Sequence, residues 1–207
     1  MQSWLDYSSA GNNVVSPGGN VGGTLNGFNW LVCDSGGTLW LTATSNRWTS
    51  ANLFPGITFL SVFKTAEVSP YSDSGPFNIG YNGGCGSNRG LALDDFPASY
   101  GLHILCTTIP VVTTGISPNT WYFLALTVLE NPGAGTAALK AYINGTLAGS
   151  TTGTGLGARV TAGSIIGSTN NFPERHPGSA ESIAFRRELN QSEITDFWTY
   201  VQAKYAL

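Results

Sequence analysis

Residues 138–148 read ALKAYINGTLA and decide the fold of this chain. Asn144 and Gly145 separate two short runs of apolar and β-branched residues. An Asn-Gly pair readily adopts the two positive φ angles of a type I′ turn, whose twist matches that of the flanking strands. The segment therefore predicts two antiparallel strands that meet at a tight turn.

Further strands are predicted on both sides of this hairpin, in segments rich in β-branched and aromatic residues and bounded by Gly, Pro or Asn. They are Ile57–Lys64, Phe77–Tyr81, Gly101–Cys106, Trp121–Leu129, Ser164–Gly167 and Ala180–Arg187. The first fifty residues alternate short apolar pieces with clusters of Gly, Ser and Asn, which indicates short strands joined by turns or an irregular lead-in.

A helix is predicted only at the C-terminus. Apolar residues recur there at helical steps of three and four, namely Ile194, Phe197, Trp198, Val201 and Tyr205. Asn190 and Glu193 have the spacing of an N-cap and its capping-box partner. We expect a helix over about residues 191–204 that packs on the sheets, because a short isolated helix is marginal in water.

The composition fits an all-β chain with many turns. The 207 residues include 27 glycines, 12% are aromatic and only 10% are charged. Sandwiches of this length commonly fold as one unit, and no linker or repeat divides the sequence. We therefore expect a single domain over residues 1–207, built as a two-sheet antiparallel jelly-roll β-sandwich with a short C-terminal α-helix.

Charge and hydropathy restrict the partners. A formal net charge of -3 leaves no basic face for phosphates, so nucleic acid is not an expected partner. No apolar run approaches the roughly 20 residues that span a bilayer, and the first residues do not resemble a classical signal peptide. Cys33, Cys85 and Cys106 cannot all pair within one chain, so reduced packing cysteines are expected, with one disulfide as the alternative.

The order of these parts resembles the laminin-G-like, or concanavalin A-like, lectin domains of bacteria and phages. The most specific part is the run from Gly178 to Leu189, which resembles their G-x-A-E-x-x-x-Y/F-x-R-x-L segment. It leads into Ser192-Glu193 and a C-terminus similar to their Y-L-x-x-K-Y-G-L, with Ala206 in place of the glycine. Trp4-Leu5-Asp6 and the stretch from Cys33 to Leu41 resemble the opening strands of the family, although Gly36 and Gly37 replace residues that are often polar.

The resemblance implies the jelly-roll fold and a broad range of functions. Members bind glycans, bind proteins or serve as structural parts of larger assemblies, and the fold alone does not choose among these. Retaining glycosidases on this scaffold carry two or three acids at alternating strand positions. This sequence has no such spacing, so we expect that the chain is not an enzyme.

The acidic pair Asp94-Asp95 is the nearest approach to a metal or acid site. We expect it in a solvated turn, or alternatively as loop ligands of Ca²⁺, because hard oxygen donors suit that ion. Otherwise no cofactor is predicted. An enzymatic alternative is a glycan hydrolase or lyase that uses Asp94, Asp95, Glu174 and His176.

Binding residues are predicted in polar, exposed stretches. Trp48 lies among Ser, Asn, Arg and Thr, and Tyr71 lies between Pro70 and Ser72, so each could stack on a sugar. Trp30, Trp40 and Tyr81 could stack in the same way, but most of these aromatic residues are expected in the core. The polar segment from residue 168 to 178 supplies the remaining candidates, which are Asn170, Asn171, Glu174, Arg175 and His176.

Two functions follow from these observations. The first is a lectin-like adhesion or decoration module that binds glycans weakly, in many copies, on a virion or extracellular surface assembly. The second is a purely structural virion protein, such as a head-decoration or fibre component, that binds other protein subunits. Both predict an oligomeric or multiply displayed protein.

Overall fold

The structure is a computed structural model that describes the backbone of residues 2–4, 14–16, 20–32, 40–41, 56–64, 77–79, 91–92, 94–96, 99–103, 110–112, 117, 119–131, 136–154, 164–166 and 178–207. Side chains are described for residues 22–30, 56–64, 117, 119–129, 131, 136–152 and 178–207. Over these ranges the chain is an antiparallel β-sandwich with one C-terminal helix, as predicted.

The strands within the described ranges are, in chain order, β1 (Gln2–Trp4), β2 (Val14–Ser16), β3 (Asn20–Leu25), β4 (Phe28–Val32), β5 (Trp40–Leu41), β6 (Gly56–Lys64), β7 (Phe77–Ile79), β8 (Leu91–Ala92), β9 (Asp94–Phe96), β10 (Ser99–His103), β11 (Pro110–Val112), β12 (Trp121–Asn131), β13 (Thr136–Ile143), β14 (Thr146–Thr154), β15 (Ser164–Ile166) and β16 (Gly178–Phe185). Helix α1 follows at Gln191–Tyr205. The described parts of the first fifty residues thus contain five short strands, which is one of the two alternatives expected.

Three sheets are formed by the described strands. The largest has seven strands in the order β14-β13-β12-β6-β16-β4-β3, the second has six in the order β1-β2-β5-β15-β7-β8, and a small sheet pairs β11-β10-β9. In the largest sheet β12 pairs antiparallel with both β6 and β13, so each central strand is hydrogen-bonded on both edges. This sheet carries the residues discussed below.

The central strands are buried on both faces, because the sheet lies between the sandwich interior and the helix. On β6 the eight residues from Gly56 to Phe63 are all buried. One face holds Ile57 and Phe59, whereas the other holds Leu60 and Val62, which pack with Ile194 and Val201 of the helix. The helix is therefore part of the hydrophobic core.

Helix α1 begins as the sequence predicts. Asn190 has an extended backbone, its side chain accepts a hydrogen bond from the backbone nitrogen of Glu193 at 3.0 Å, and the Glu193 carboxylate accepts one from the Asn190 nitrogen at 2.9 Å. This reciprocal pair satisfies two backbone donors that the first turn would leave unpaired. Of the predicted apolar stripe, Ile194, Val201 and Tyr205 are buried.

The helix ends at Ala206, which adopts the left-handed conformation with φ 58° and ψ 43° and donates its backbone N–H to the Gln202 carbonyl at 2.9 Å. Glycine is favoured at this position because a Cβ is strained there.

We expect Ala206→Gly to raise the free energy of unfolding by about 1 kcal/mol in urea denaturation. Ala203→Gly, within the helix on its exposed side, is the matched control and is expected to lower it by about 1 kcal/mol. Equal effects of the two changes would contradict the strain at Ala206.

Candidate functional site

The start of the helix is fixed by an ion pair as well as by the cap. The guanidinium of Arg187 binds both carboxylate oxygens of Glu193, at 2.9 and 2.5 Å. This bidentate bond from Arg187, together with the hydrogen bond from the Asn190 backbone, lowers the pKa of Glu193 from its ordinary 4.5 to about 2. The Glu193 carboxylate therefore links the turn that follows β16 to the first turn of helix α1.

The lowered pKa of Glu193 predicts a pH dependence of stability. The folded chain holds Glu193 ionised below the pH at which the unfolded chain protonates it, so its contribution is complete above about pH 4.5 and is lost as the pH falls toward 2. We expect Glu193→Gln to reduce the slope of unfolding free energy against pH in that window, measured by urea denaturation at a series of pH values. An unchanged slope would show that Glu193 does not carry the effect.

A second polar cluster joins the end of the helix to β16 and to the β3–β4 hairpin; we call it the Lys204 cluster (Phe28, Glu181, Tyr200, Lys204 and Tyr205). The Lys204 ammonium donates to Glu181 Oε2 at 3.1 Å and to the Tyr200 hydroxyl at 2.7 Å. The hydroxyls of Tyr200 and Tyr205 donate to Glu181 at 3.1 and 3.0 Å. One carboxylate thus accepts hydrogen bonds from three helix side chains.

Three aromatic rings surround the Lys204 ammonium. It lies 5.2 Å from the ring centroids of Phe28 and Tyr200 and 5.0 Å from that of Tyr205, within the range of cation–π attraction. Burial lowers the pKa of Lys204, but its hydrogen bonds to Tyr200 and Glu181 outweigh that effect and raise the pKa overall. Burial, with the nearby Glu181 charge, also raises the pKa of Tyr205.

The charged and hydroxyl groups of the Lys204 cluster bind one another, so the cluster stabilises the packing of the helix end against β16. A ligand that used these groups would first have to break their mutual hydrogen bonds. Phe28 and Tyr200 are 46% and 42% exposed, but their rings already face the ammonium. We assign the cluster a structural role.

A pair of tryptophans offers a better contact surface for a ligand. Trp30 on β4 and Trp121 on β12 pack edge to face, with ring centroids 5.5 Å apart, and both are partly exposed. Glycines on the two strands beside β4 make room for the Trp30 indole. A Cβ built on Gly178 would lie 2.5 Å from Trp30 Cε3, and one built on Gly23 would lie 3.4 Å from Nε1. The indole therefore extends over the backbone of both neighbouring strands.

Polar residues adjoin this pair, which we call the tryptophan surface (Trp30, Trp121 and Gly178). Lys64 is the register partner of both Trp121 and Gly178 at this end of the sheet. Asn119, exposed and with φ 52°, lies two residues before Trp121. Gly178, the last residue of the polar segment predicted to bind, is the first residue of β16.

The predicted binding residues lie outside the described residues: Trp48, Tyr71, Asn170, Asn171, Glu174, Arg175 and His176. Asp94 and Asp95 are described in backbone only. They are the first two residues of strand β9, with Gly101 and Tyr100 as their register partners. The structure places this pair in an antiparallel ladder and not in the expected turn, and the alternative that the pair binds Ca²⁺ stays a prediction.

Sequence reasoning missed the tryptophan surface, since it expected Trp30 mostly in the core and did not consider Trp121. Its parts come from three distant strands, and a glycine beside a tryptophan indicates a binding surface only when the pairing of β4 with β16 is known.

Among the residues that the structure describes, no three His, Cys, Asp or Glu side chains come together as ligands for a metal ion. No helix in the described ranges is long and apolar enough to cross a membrane.

No protein-family model and no curated protein matches the sequence. Solved structures do match. One is described with the finding that cell entry of botulinum neurotoxin type C is dependent upon interaction with two ganglioside molecules. This structure matches with a TM-score of 0.62 and 14% identity over 96% of this chain and 48% of the matched chain. The binding domain of Paraclostridial Mosquitocidal Protein 1 matches with a TM-score of 0.62 and 14% identity over 95% of this chain and 49% of that one.

A sialidase is also similar. The Trypanosoma rangeli enzyme in complex with 2,3-difluorosialic acid matches 95% of this chain and 32% of its own, with a TM-score of 0.60 and 14% identity. The chain thus spans a third to a half of the length of these three structures. At this level of identity the likeness establishes the β-sandwich fold.

Proposed function

We propose that this chain is a lectin-like, non-catalytic module that binds glycans through the tryptophan surface. The observation that carries the proposal is that almost the whole chain superposes on about half of the Paraclostridial Mosquitocidal Protein 1 binding domain, and equally on about half of a chain described with the ganglioside-dependent cell entry of botulinum neurotoxin type C. An indole face gives a sugar ring a large, rigid and partly polar contact, which suits Trp30 and Trp121. Lys64 and Asn119 supply hydrogen-bonding groups beside it.

The proposal includes display in several copies on a virion or extracellular surface assembly, as an adhesion or decoration module. A shallow site for a single sugar has a dissociation constant of about 1 mM, which corresponds to only about 4 kcal/mol. Linked copies raise the overall affinity by a factor of about 10² to 10⁴. We propose that binding requires no metal ion, so chelation with EDTA should leave it unchanged.

Glycan-array screening of an artificially multimerised protein tests the proposal. We expect a retained glycan, with binding reduced at least about tenfold by Trp30→Ala or Trp121→Ala, a change of about 1.4 kcal/mol. Phe28→Ala is the matched control, because it removes an exposed ring of the Lys204 cluster and should leave binding intact. Thermal unfolding of each variant separates loss of binding from loss of fold.

The sequence-predicted residues have their own arm in this experiment. Trp48→Ala and His176→Ala should each weaken binding if those stretches adjoin the same sugar. Retention of no glycan, or equal binding by Trp30→Ala and the original protein, would overturn the proposed site. Release of reducing ends from a polysaccharide panel would instead support a hydrolase or lyase.

A further inference from the structure

Among the residues that the structure describes, two Asn-Gly turns have the same backbone conformation but opposite surroundings. Asn26 and Gly27, between β3 and β4, have φ angles of 50° and 81°, and Asn144 and Gly145, between β13 and β14, have 48° and 77°. The Leu25–Phe28 and Ile143–Thr146 pairs close the two hairpins. Neither turn belongs to the tryptophan surface.

Asparagine followed by glycine can react with itself. The backbone nitrogen of the glycine attacks Cγ of the asparagine, the C–N bond of the side-chain amide breaks, and loss of ammonia gives a five-membered succinimide. Water then opens the ring to aspartate or isoaspartate, so the net change consumes one water and releases one ammonia. Glycine favours the attack because it has no side chain to obstruct it, and such asparagines are thermolabile.

The Asn144 turn is held against this reaction by contacts on several sides. The Asn144 side-chain oxygen accepts a hydrogen bond from the Phe123 nitrogen at 3.0 Å, and its backbone nitrogen donates to the Phe123 carbonyl at 2.8 Å. Gln191 donates to the Gly145 carbonyl at 2.8 Å. Gly145 is buried beneath Trp198, to which a Cβ on Gly145 would approach within 2.7 Å. The attacking nitrogen and the side chain therefore have little freedom to approach each other.

The Asn26 turn is open. Asn26 and Gly27 are both exposed, and a Cβ on Gly27 would meet no atom within 4 Å. The Asn26 side chain is held by a hydrogen bond from Nδ2 to the Lys204 carbonyl, at 2.8 Å and on the exposed surface. From this contrast we infer that Asn26 is a site of spontaneous deamidation and that Asn144, with the same sequence and turn, is protected by the fold.

Deamidation at Asn26 would act on the end of the helix. The amide that donates to the Lys204 carbonyl becomes a carboxylate, which cannot donate and which places negative charge at the negative end of the helix dipole. An isoaspartate also adds a carbon to the main chain within a two-residue turn. Phe28, whose ring packs against Tyr205 at 5.7 Å, follows directly in the chain. The modification therefore weakens the contacts by which the Lys204 cluster holds the end of the helix.

The test compares the two turns within one molecule. The intact protein is incubated in mildly alkaline buffer at 37 °C, and peptides containing each Asn-Gly pair are quantified by mass spectrometry, in which deamidation adds about 1 Da. We expect the Asn26 peptide to react at least about fivefold faster than the Asn144 peptide, because local opening is easier at the exposed turn. Equal rates, or a faster Asn144, would overturn the inference.

Two further arms separate folding from intrinsic reactivity. In denaturant the deamidation rates of the two asparagines should converge. Trp198→Ala, which uncovers Gly145, should accelerate deamidation of Asn144 alone. A difference that persists in denaturant, or an unchanged rate at Asn144, would exclude protection by the fold.

Asn26→Asp mimics one product and should lower the melting temperature by about 2–4 °C. The control is Asn29→Asp, an exposed change on the same hairpin, which should leave the melting temperature within about 1 °C. Equal melting shifts would refute the proposed effect on the helix end.

Discussion

Replacement of Gly145 by alanine should destabilise the folded chain by about 2–5 kcal/mol. Two effects add. A residue with a side chain at φ +77° costs about 1–2 kcal/mol, and forcing a methyl group into an occupied space costs about 1–3 kcal/mol. The space is occupied because the new Cβ would lie 2.7 to 2.8 Å from three atoms of Trp198. Trp198 in turn stacks on Phe123 at 6.0 Å, so the core under the helix must shift.

Gly27→Ala separates the two effects. Gly27 occupies the same turn position with φ +81°, but a Cβ there meets nothing within 4 Å. It should therefore show the backbone cost alone, about 1–2 kcal/mol. Both variants are measured by urea denaturation. Equal losses would mean that Trp198 moves aside freely, and the close packing of turn and helix would then be wrong.

The two turns show which features of a hairpin can be predicted from local sequence. The pattern at residues 138–148 predicted the hairpin and the Asn-Gly turn, and both are confirmed. The same signal at residues 25–28, Leu-Asn-Gly-Phe, lies among the glycine clusters of the N-terminus, for which only unspecified turns were predicted, and it forms an equal turn. The contact of Gly145 with Trp198 was beyond local sequence, because it depends on how the helix crosses the sheet.

The helix was predictable because its signals are local. The cap at Asn190, the capping-box partner Glu193 and the apolar stripe all lie within sixteen residues of sequence, from 190 to 205. Strand ends were less certain, since they depend on the partner strand. Ala180–Arg187 was predicted where Gly178–Phe185 is observed, because the pairing of Gly178 with Lys64 extends the ladder toward the N-terminus.

The candidate site was the least predictable part. Trp30, Trp121 and Gly178 meet only because β4, β16, β6 and β12 are arranged side by side in the largest sheet. Strand order follows from the burial of both faces of β6 and β12, which no single segment specifies. The binding residues that were predicted from polar loops remain predictions.

Replacement of Thr58 by valine should cost about 2–4 kcal/mol, although the two side chains have nearly the same shape. Thr58 is fully buried on β6. Its hydroxyl donates to the Arg187 carbonyl at 2.8 Å and accepts from the Leu189 nitrogen at 2.9 Å. Valine leaves both backbone groups without that partner. The buried Leu189 nitrogen then costs about 1–3 kcal/mol, and the part-buried Arg187 carbonyl costs about 1 kcal/mol. The turn that leads from β16 to the helix therefore depends on one hydroxyl.

Thr127→Val is the matched control, measured in the same urea denaturation. Thr127 is the register partner of Thr58 on β12 and is equally buried, but its hydroxyl has no hydrogen-bond partner in the part of the chain that the structure describes. Removal of that hydroxyl leaves no backbone group unpaired, so we expect a change within about 1 kcal/mol, toward higher stability if any. If the two variants lose the same stability, the cost comes from the shape of valine and not from the lost bridge. A large loss at Thr58 alone would identify this hydroxyl as the joint between the sheet and the helix.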